Sequence, residues 1–253
     1  SLAKLEKCRI IARYGIGIDN IDLVAARQRG ITVTNVPDYS VEEVAVHALA
    51  LILAMLRKIS RANRLVREGG WAITELQPIH RLSALTVGLF GYGRIARKLA
   101  APLQALGTRI LVHDPYLTAA EGLPELVDLP QLLERADIVS IHAPLTEETR
   151  GIIGREAIAR MKPGSFLVNT SRGPLVELDA VVEGLSSNHL GGVALDVFDR
   201  EPLDPSRIEG IEGLIVSPHM AYYSEESLAE SQHKAATQVI KVLTGLIPDY
   251  PVT

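Results

Sequence analysis

The segment VGLFGYGRIA, residues 87–96, decides the fold, because it joins an apolar strand to a helix through a glycine-rich turn. The spacing Gly91-x-Gly93-x-x-Ala96 is typical of a dinucleotide-binding turn. Gly91 permits the tight turn, and Gly93 lets the backbone approach a pyrophosphate. The first N–H groups of the helix would then stabilise the phosphate charge. We therefore predict phosphate contacts from Gly91, Gly93, Arg94 and Ile95.

Asp114 supports the same interpretation, because it ends the next apolar run, 18 residues after Ala96. A carboxylate at this position can accept hydrogen bonds from the ribose hydroxyls of the adenosine. It would also repel a 2′-phosphate. The sequence therefore predicts NAD rather than NADP as the cofactor.

Apolar runs alternate with helical stretches throughout the central part of the chain. The runs are rich in β-branched residues and are apolar at both odd and even positions. This pattern is typical of strands in a parallel sheet that helices cover on both faces. We predict such strands at 84–91, 109–114, 137–144, 165–171, 191–198 and 214–219. The predicted fold class is α/β, with a doubly wound parallel sheet forming a Rossmann NAD-binding domain.

The sequence patterns near the two termini predict a second, smaller domain. Residues 1–37 have the pattern strand, helix, strand, which is too small to be stable alone. We expect 1–37 and 220–253 to form a flavodoxin-like substrate domain that is incomplete at its N-terminus, and 38–219 to form the NAD-binding domain. Residues 40–67 predict one long helix. Its apolar part, Val44–Leu56, should be buried between domains or against a second subunit, as in a homodimer.

Composition excludes several classes of protein. The chain has 253 residues and a net charge of −4, which argues against nucleic-acid partners and a polybasic membrane anchor. The first residues lack the apolar region of a signal peptide, and no apolar run is long enough to span a bilayer. Cys8 is the single cysteine, so neither an intrachain disulfide nor a cysteine-based zinc site is expected. We expect a cytoplasmic protein without a metal.

Polar residues near the strand ends predict the chemistry, because open α/β sheets bind ligands beyond the carboxyl ends of their strands. Arg172, Asp196 and His219 hold such positions, and Glu201 follows Asp196 closely. An arginine can bind a carboxylate through two hydrogen bonds, and a histidine beside a carboxylate can carry a proton. These groups suit hydride transfer at a carbinol carbon. We expect His47 to be a core or interface residue instead.

The chain resembles the D-2-hydroxyacid dehydrogenase family over essentially its whole length. Besides the glycine-rich turn and Asp114, six blocks carry the resemblance: RYGIGIDNID (13–22), NVPDYSVEEVA (35–45), HAPLTEETRGII (142–153), MKPGSFLVNTSRGPLVE (161–177), ALDVFDREPL (194–203) and SPHMAYYSEES (217–227). Within this family, the segment HMAYYSEE (219–226) and the ending GLIPD (245–249) resemble the C-terminal binding proteins more than the phosphoglycerate dehydrogenases.

The resemblance implies a role for each matched residue. Arg172 would bind the substrate carboxylate, Glu201 would orient His219, and His219 would be the general acid/base. Asp196 would contact the nicotinamide carboxamide. The other implied positions are Ala143, Pro144, Thr149 and Thr170 for the cofactor, and Arg13, Ile16, Gly17 and Tyr222 for the substrate.

The expected function is NAD-dependent interconversion of a D-2-hydroxy acid and its 2-keto acid. Two alternatives stay open at this point. The first is an NAD(H)-sensing, corepressor-like scaffold of the same fold, whose partner contacts the apolar segment Val44–Leu56 and the Tyr222-Tyr223 pair would supply. The second is formate oxidation, against which Glu201 argues by resemblance.

Overall fold

The chain divides into two compact units. The computed structural model describes residues 2–118 and 120–253. The larger unit is Val44–Ala221, and the smaller unit combines Ser1–Glu43 with Tyr222–Thr253.

The secondary-structure elements alternate along the larger unit as expected for an α/β fold. The strands are β1 (Ile10–Ala12), β2 (Thr32–Thr34), β3 (Thr86–Phe90), β4 (Arg109–His113), β5 (Glu125–Leu126), β6 (Ile138–Ile141), β7 (Ser165–Asn169), β8 (Leu190–Leu195) and β9 (Leu214–Val216). The α-helices are α1 (Leu23–Gln28), α2 (Val41–Leu56), α3 (Ile59–Arg67), α4 (Arg94–Ala105), α5 (Leu129–Arg135), α6 (Arg155–Arg160), α7 (Leu178–Ser186) and α8 (Glu225–Leu243). Short 3-10 helices lie at Leu2–Lys4, Ile73–Leu76, Leu82–Ala84, Gly173–Leu175 and Pro205–Ile208.

The larger unit is built on a seven-stranded sheet with the order β5-β4-β3-β6-β7-β8-β9. Each adjacent pair of strands is parallel. Successive residues of the strands enter two different apolar clusters, so both faces of the sheet are covered. One cluster includes residues of α5, α6 and α7, and the other includes residues of α2 and α4. The predicted fold class is confirmed.

The smaller unit contains a two-stranded parallel sheet formed by β1 and β2. Ala26 of α1 packs with Ile31 and Val33 in an apolar cluster. The end of the chain returns to this sheet, where the Val252 N–H donates to the Val33 carbonyl and Pro251 forms an antiparallel bridge with Thr34.

The prediction of one long helix over residues 40–67 is wrong. The structure has two helices, α2 and α3, and Lys58 between them adopts a left-handed backbone with φ 51°. The reason lies in packing, since α2 buries seven residues whereas α3 buries none. The contacts that fix α2 therefore stop at Leu56. From Val44 onward, α2 packs into its own unit, so most of its apolar surface is covered without a second subunit.

Two searches of the described residues gave negative results. Among these residues, the helices are all too short or too polar to cross a lipid bilayer. Over 2–118 and 120–253, we also find no group of three or more histidine, cysteine, aspartate or glutamate side chains arranged to hold a metal ion.

Candidate active site

The sheet order creates a crevice at the carboxyl ends of β3 and β6. Since β4 lies on one side of β3 and β6 on the other, the chain direction across the sheet reverses at this point. Gly91 follows β3 with φ 87°, and its N–H donates to the His113 carbonyl at 2.8 Å. A Cβ on Gly91 would lie 2.8 Å from backbone atoms of His142 and Ala143. A glycine is therefore required where the ends of these strands meet.

The turn after β3 fits the nucleotide part of NAD. Helix α4 begins directly after Gly93, and a Cβ on Gly93 would meet no atom within 4 Å, so the helix N-terminus faces open space. Asp114 accepts hydrogen bonds from the Tyr92 N–H at 2.9 Å and the Tyr116 N–H at 3.0 Å. This holds its carboxylate beside the turn, where ribose hydroxyls would bind.

Thr170, the first residue after β7, supports the same fit. Its Oγ1 is buried and has no hydrogen-bond partner within the part of the chain that the structure describes. Buried hydroxyls are normally paired, so this atom is suited to a bound group. The residues present therefore fit NAD. Arg94 is exposed and Ile95 is half-buried, and contacts of either with the cofactor stay predictions.

The loop after β6 is closed by its own threonines. The Thr149 hydroxyl donates to the Pro144 carbonyl at 2.8 Å and accepts from the Thr146 N–H at 2.8 Å. The Ala143 carbonyl accepts from the Ser171 hydroxyl at 2.6 Å, which connects this loop to the Arg172 turn. The loop is thus held in place, and its predicted contact with NAD stays a prediction.

His142 precedes this loop and is a neutral residue near pH 7. Burial lowers its pKa from 6.5 to about 4, because the interior disfavours the charged imidazolium. Its Nε2 lies 2.9 Å from the Ser140 hydroxyl. A neutral, hydrogen-bonded histidine of this kind has a structural role and does not act as a general acid.

The turn carrying Arg172 is fixed by Asn169, the last residue of β7. Asn169 is fully buried. Its side-chain amide donates to the Arg172 carbonyl at 2.8 Å, and its side-chain oxygen accepts from the Ser171 N–H at 3.0 Å. The Arg172 Nη1 in turn donates to the Ser171 carbonyl at 2.8 Å. The guanidinium and the turn are therefore held by one set of hydrogen bonds.

Gly173 brings the Arg172 turn against the segment that precedes Glu201. A Cβ on Gly173 would lie 1.9 Å from the Phe198 carbonyl carbon and 2.5 Å from the Asp199 nitrogen, distances that no side chain allows. The Phe198 N–H donates to Glu201 Oε1 at 3.0 Å. Only glycine permits this close backbone contact.

His219 is paired with Glu201. Its Nδ1 lies 2.8 Å from Glu201 Oε2, and both side chains remain partly exposed. His219 has a left-handed backbone with φ 53°, a strained conformation for a non-glycine residue. The three predicted catalytic residues are thus connected through successive contacts. Gly173, next to Arg172, touches the backbone of Phe198 and Asp199, and the Phe198 N–H donates to Glu201. Glu201 in turn pairs with His219.

Asp196 holds the loop that carries His219. Its side chain is completely buried, and its carboxylate accepts from the Ser217 hydroxyl at 2.6 Å, the Met220 N–H at 3.0 Å and the Ala221 N–H at 2.9 Å. Its carbonyl accepts from the His219 N–H at 2.8 Å. These bonds over-determine the strained loop. The expected contact of Asp196 with the nicotinamide carboxamide stays a prediction.

His47, which the sequence predicts to be a core or interface residue, also makes polar contacts that the sequence does not predict. Its Nε2 lies 3.1 Å from the Ser217 hydroxyl and 3.6 Å from Asp196 Oδ1. Since Ser217 donates to Asp196, its oxygen accepts from His47. No local signal in the sequence connects helix α2 to strand β9. Asn169 could have been found from the sequence, because an asparagine near the end of a predicted strand often forms an Asx turn, in which its side-chain oxygen accepts from the N–H two residues later.

The predicted substrate contacts lie in the smaller unit, unlike Arg172, Glu201 and His219. The Arg13 side chain is exposed, and the Ile16 carbonyl accepts from the Asn35 amide at 2.9 Å, which anchors the loop containing Gly17. The Tyr222 ring packs 6.4 Å from the Tyr39 ring. Contact of these residues with a substrate stays a prediction.

The sequence of this chain is similar to a known protein family and to several of its members. Residues 49–221 match the family model described as D-isomer specific 2-hydroxyacid dehydrogenase, NAD binding domain. The chain is 39% identical over 241 residues to D-3-phosphoglycerate dehydrogenase of Mycobacterium tuberculosis, which is 94% of this chain and 45% of that protein. It is 41% identical over 231 residues to (S)-sulfolactate dehydrogenase of Chromohalobacter salexigens, or 89% of this chain and 74% of that one.

One solved structure that matches the fold contains a bound cofactor. It is D-lactate dehydrogenase from Aquifex aeolicus complexed with NAD and lactic acid, with a TM-score of 0.91, 30% identity, and coverage of 99% of this chain and 82% of that one. Because residues 49–221 match an NAD binding domain, NAD is the cofactor of this domain. The present chain spans about half the length of the phosphoglycerate dehydrogenases that it matches.

Proposed function

The chain belongs to the D-isomer specific 2-hydroxyacid dehydrogenase family, and we propose that it interconverts a small D-2-hydroxy acid and its 2-keto acid with NAD. One observation carries this proposal: the His219–Glu201 pair is joined to the Arg172 turn at the carboxyl edge of an NAD-binding sheet. Such an edge is where this class of sheet binds its ligands.

Each of the three side chains has a distinct task in keto-acid reduction. Bound NADH supplies the hydride. Arg172 binds the substrate carboxylate and stabilises the negative charge that develops on the carbonyl oxygen. Because Nδ1 of His219 faces Glu201, His219 delivers its proton to that oxygen through Nε2. The Glu201 carboxylate orients the imidazole and stabilises its protonated form.

The remaining substrate contacts follow from family resemblance. We propose that Arg13, Ile16, Gly17 and Tyr222 bind the substrate, and that Ala143, Pro144, Thr149 and Thr170 line the cofactor. The relatives named above differ in the acid that their names specify. A panel of acids is therefore the appropriate first experiment.

We also propose a cytoplasmic homodimer without nucleic-acid or membrane partners. The net charge of −4 and the single cysteine support the location and the exclusions. For the dimer, the support is a set of apolar side chains on and after α3 that are more than half exposed: Ile59, Val66, Ile73 and Trp71, the last to 86%. Exposed apolar residues in such a group are typical of a contact surface. Light scattering should show twice the monomer mass, and a monomer would contradict the dimer.

The activity can be tested by mixing the purified protein with NADH and a panel of 2-keto acids, while following the absorbance of NADH. Oxidation above background with at least one acid is expected. NADH binding without reduction of any keto acid would favour the scaffold instead. Oxidation of formate with NAD, in the absence of keto-acid reduction, would favour formate oxidation, the second alternative.

A further inference from the structure

We infer that Asn169 is a positioning residue that sets the substrate-binding geometry of Arg172 and couples it to the His219 loop. The inference rests on the proposed function, because it assigns to Asn169 the placement of the proposed carboxylate-binding group. Asn169 is the last residue of β7 and is fully buried, so it acts through hydrogen bonds within the chain.

The side chain of Asn169 makes two hydrogen bonds of opposite sense to the Arg172 turn. Nδ2 donates to the Arg172 carbonyl at 2.8 Å, while Oδ1 accepts from the Ser171 N–H at 3.0 Å. A side chain therefore needs a donor and an acceptor side by side to satisfy both backbone groups. If either of these partly buried backbone groups lost its partner, the turn would favour a different conformation.

The position of the guanidinium depends on this turn. Arg172 Nη1 donates to the Ser171 carbonyl at 2.8 Å, and the Ser171 hydroxyl donates to the Ala143 carbonyl at 2.6 Å. A shift of the peptide between Ser171 and Arg172 would therefore move the guanidinium. Displacements of about 1 Å in groups that orient a substrate can lower rates by about 100-fold.

The backbone of Asn169 connects this turn to the other half of the site. Its carbonyl accepts from the Asp196 N–H at 3.0 Å, and Asp196 holds the loop of His219 through its carboxylate and carbonyl. The ends of β7 and β8 thus form one hydrogen-bonded unit. Within this unit, Asn169 holds the proposed substrate anchor, and Asp196 holds the proposed proton donor.

An aspartate at this position offers a sharp test, because its two protonation states differ in one respect. The ionised carboxylate can accept from the Ser171 N–H but has no proton for the Arg172 carbonyl. The protonated acid offers an O–H donor and a carbonyl acceptor, as the amide does. Burial raises the pKa of a carboxyl group, so the acid form of such a variant should be reached at mildly acidic pH.

The experiment compares Asn169→Asp, Asn169→Ala and the wild type between pH 5.5 and 8, using the keto acid that the wild type reduces best. At pH 8, we expect Asn169→Asp to raise KM for the keto acid about 10-fold, with a smaller change in kcat and an unchanged dissociation constant for NADH. As the pH falls, the variant should recover relative to the wild type. Asn169→Ala should show the same loss without recovery. Asn188→Asp, the same change at an exposed residue after α7, is the matched control and should behave as the wild type.

Two results would overturn the inference. One is a wild-type KM in both variants. The other is a loss of NADH affinity that parallels the loss of activity at every pH, which would indicate a general structural role. If Asn169→Asp fails to fold, Asn169→Ala decides through the ratio of KM to NADH affinity. If the wild type neither oxidises NADH nor binds any acid in a fluorescence titration of its NADH complex, the proposed function fails first and the inference falls with it.

Discussion

The strands of the seven-stranded sheet begin at one edge, here called the amino edge, and end at the opposite one, the carboxyl edge. The polar side chains at these two edges have different roles. At the amino edge, Asp137 precedes β6 and accepts from the Thr86 N–H at 2.7 Å and the Lys162 ammonium at 2.9 Å. At the carboxyl edge, Asn169 and Asp196 are fully buried and bond mainly to the loops that follow the strands. At the amino edge, the polar groups therefore pair with one another in an ion pair. At the carboxyl edge, they hold the conformation of the loops that follow the strands.

This difference separates residues that stabilise the fold from residues that prepare chemistry. The Lys162–Asp137 pair neutralises its own charge near the surface. At the opposite edge, His219 and Glu201 stay partly exposed on a loop that Asp196 holds in a strained conformation. Substitutions at the carboxyl edge should therefore change activity more than stability, and those at the amino edge should do the reverse.

The largest effect is expected for His219→Ala. Removing the proposed proton donor should lower kcat by about 100-fold to 10,000-fold, because general acid catalysis contributes that much. The dissociation constant for NADH should stay near the wild-type value in a fluorescence titration. His80→Ala, a change of an exposed histidine, is the control. Unchanged turnover in His219→Ala would remove this residue from the mechanism.

Gly173→Ala should have the next largest effect. The added Cβ would overlap the backbone of Phe198 and Asp199, so the Arg172 turn and the Glu201 segment must separate. We expect kcat/KM to fall by about 100-fold and the free energy of unfolding to drop by about 1–3 kcal/mol. Steady-state kinetics and denaturant unfolding measure the two effects. Wild-type kinetics would mean that this contact does not align the site.

Glu201→Gln should lower kcat by about 10-fold to 100-fold. The amide oxygen can still accept from His219 Nδ1, but the charge that stabilises the imidazolium is lost, and charged hydrogen bonds contribute about 1.5–3 kcal/mol. Stopped-flow mixing of the NADH complex with keto acid would measure this step. A rate equal to that of the wild type would show that the carboxylate charge is unimportant.

The smallest effect is expected at the amino edge. Lys162→Ala should lower the free energy of unfolding by about 0.2–1 kcal/mol, because the ion pair is partly exposed to solvent. The activity should not change. A loss of turnover comparable to that of Glu201→Gln would contradict the distinction between the two edges.

The sequence predicted the fold well because its signals are local. Apolar runs with β-branched residues located the main strands, and the rule that ligands bind at carboxyl ends selected Arg172, Asp196 and His219. The break at Lys58 was missed, since the helical pattern continues past Leu56 and only tertiary packing ends there. The two-residue strand β5 is too short to give a pattern.

Long-range contacts were beyond sequence reasoning. The bond between His47 and Ser217 joins residues 170 positions apart, and its formation depends on how α2 packs on the sheet. The contact of Gly173 with Phe198 likewise depends on the register between β7 and β8. Such contacts determine which polar residues form hydrogen bonds with each other. Local sequence patterns do not predict them, because the residues are far apart in the chain.

The most direct measurement of the central claim follows a deuterium label from NADH carrying deuterium at its transferable position. With the wild type and a reducible 2-keto acid in ordinary water, mass spectrometry should find the label on carbon 2 of the hydroxy acid product. The His219→Ala variant should form far less of this product at equal NADH occupancy. An unlabelled product, or equal yields from both proteins, would contradict the assignment of Arg172, Glu201 and His219 to hydride-transfer chemistry.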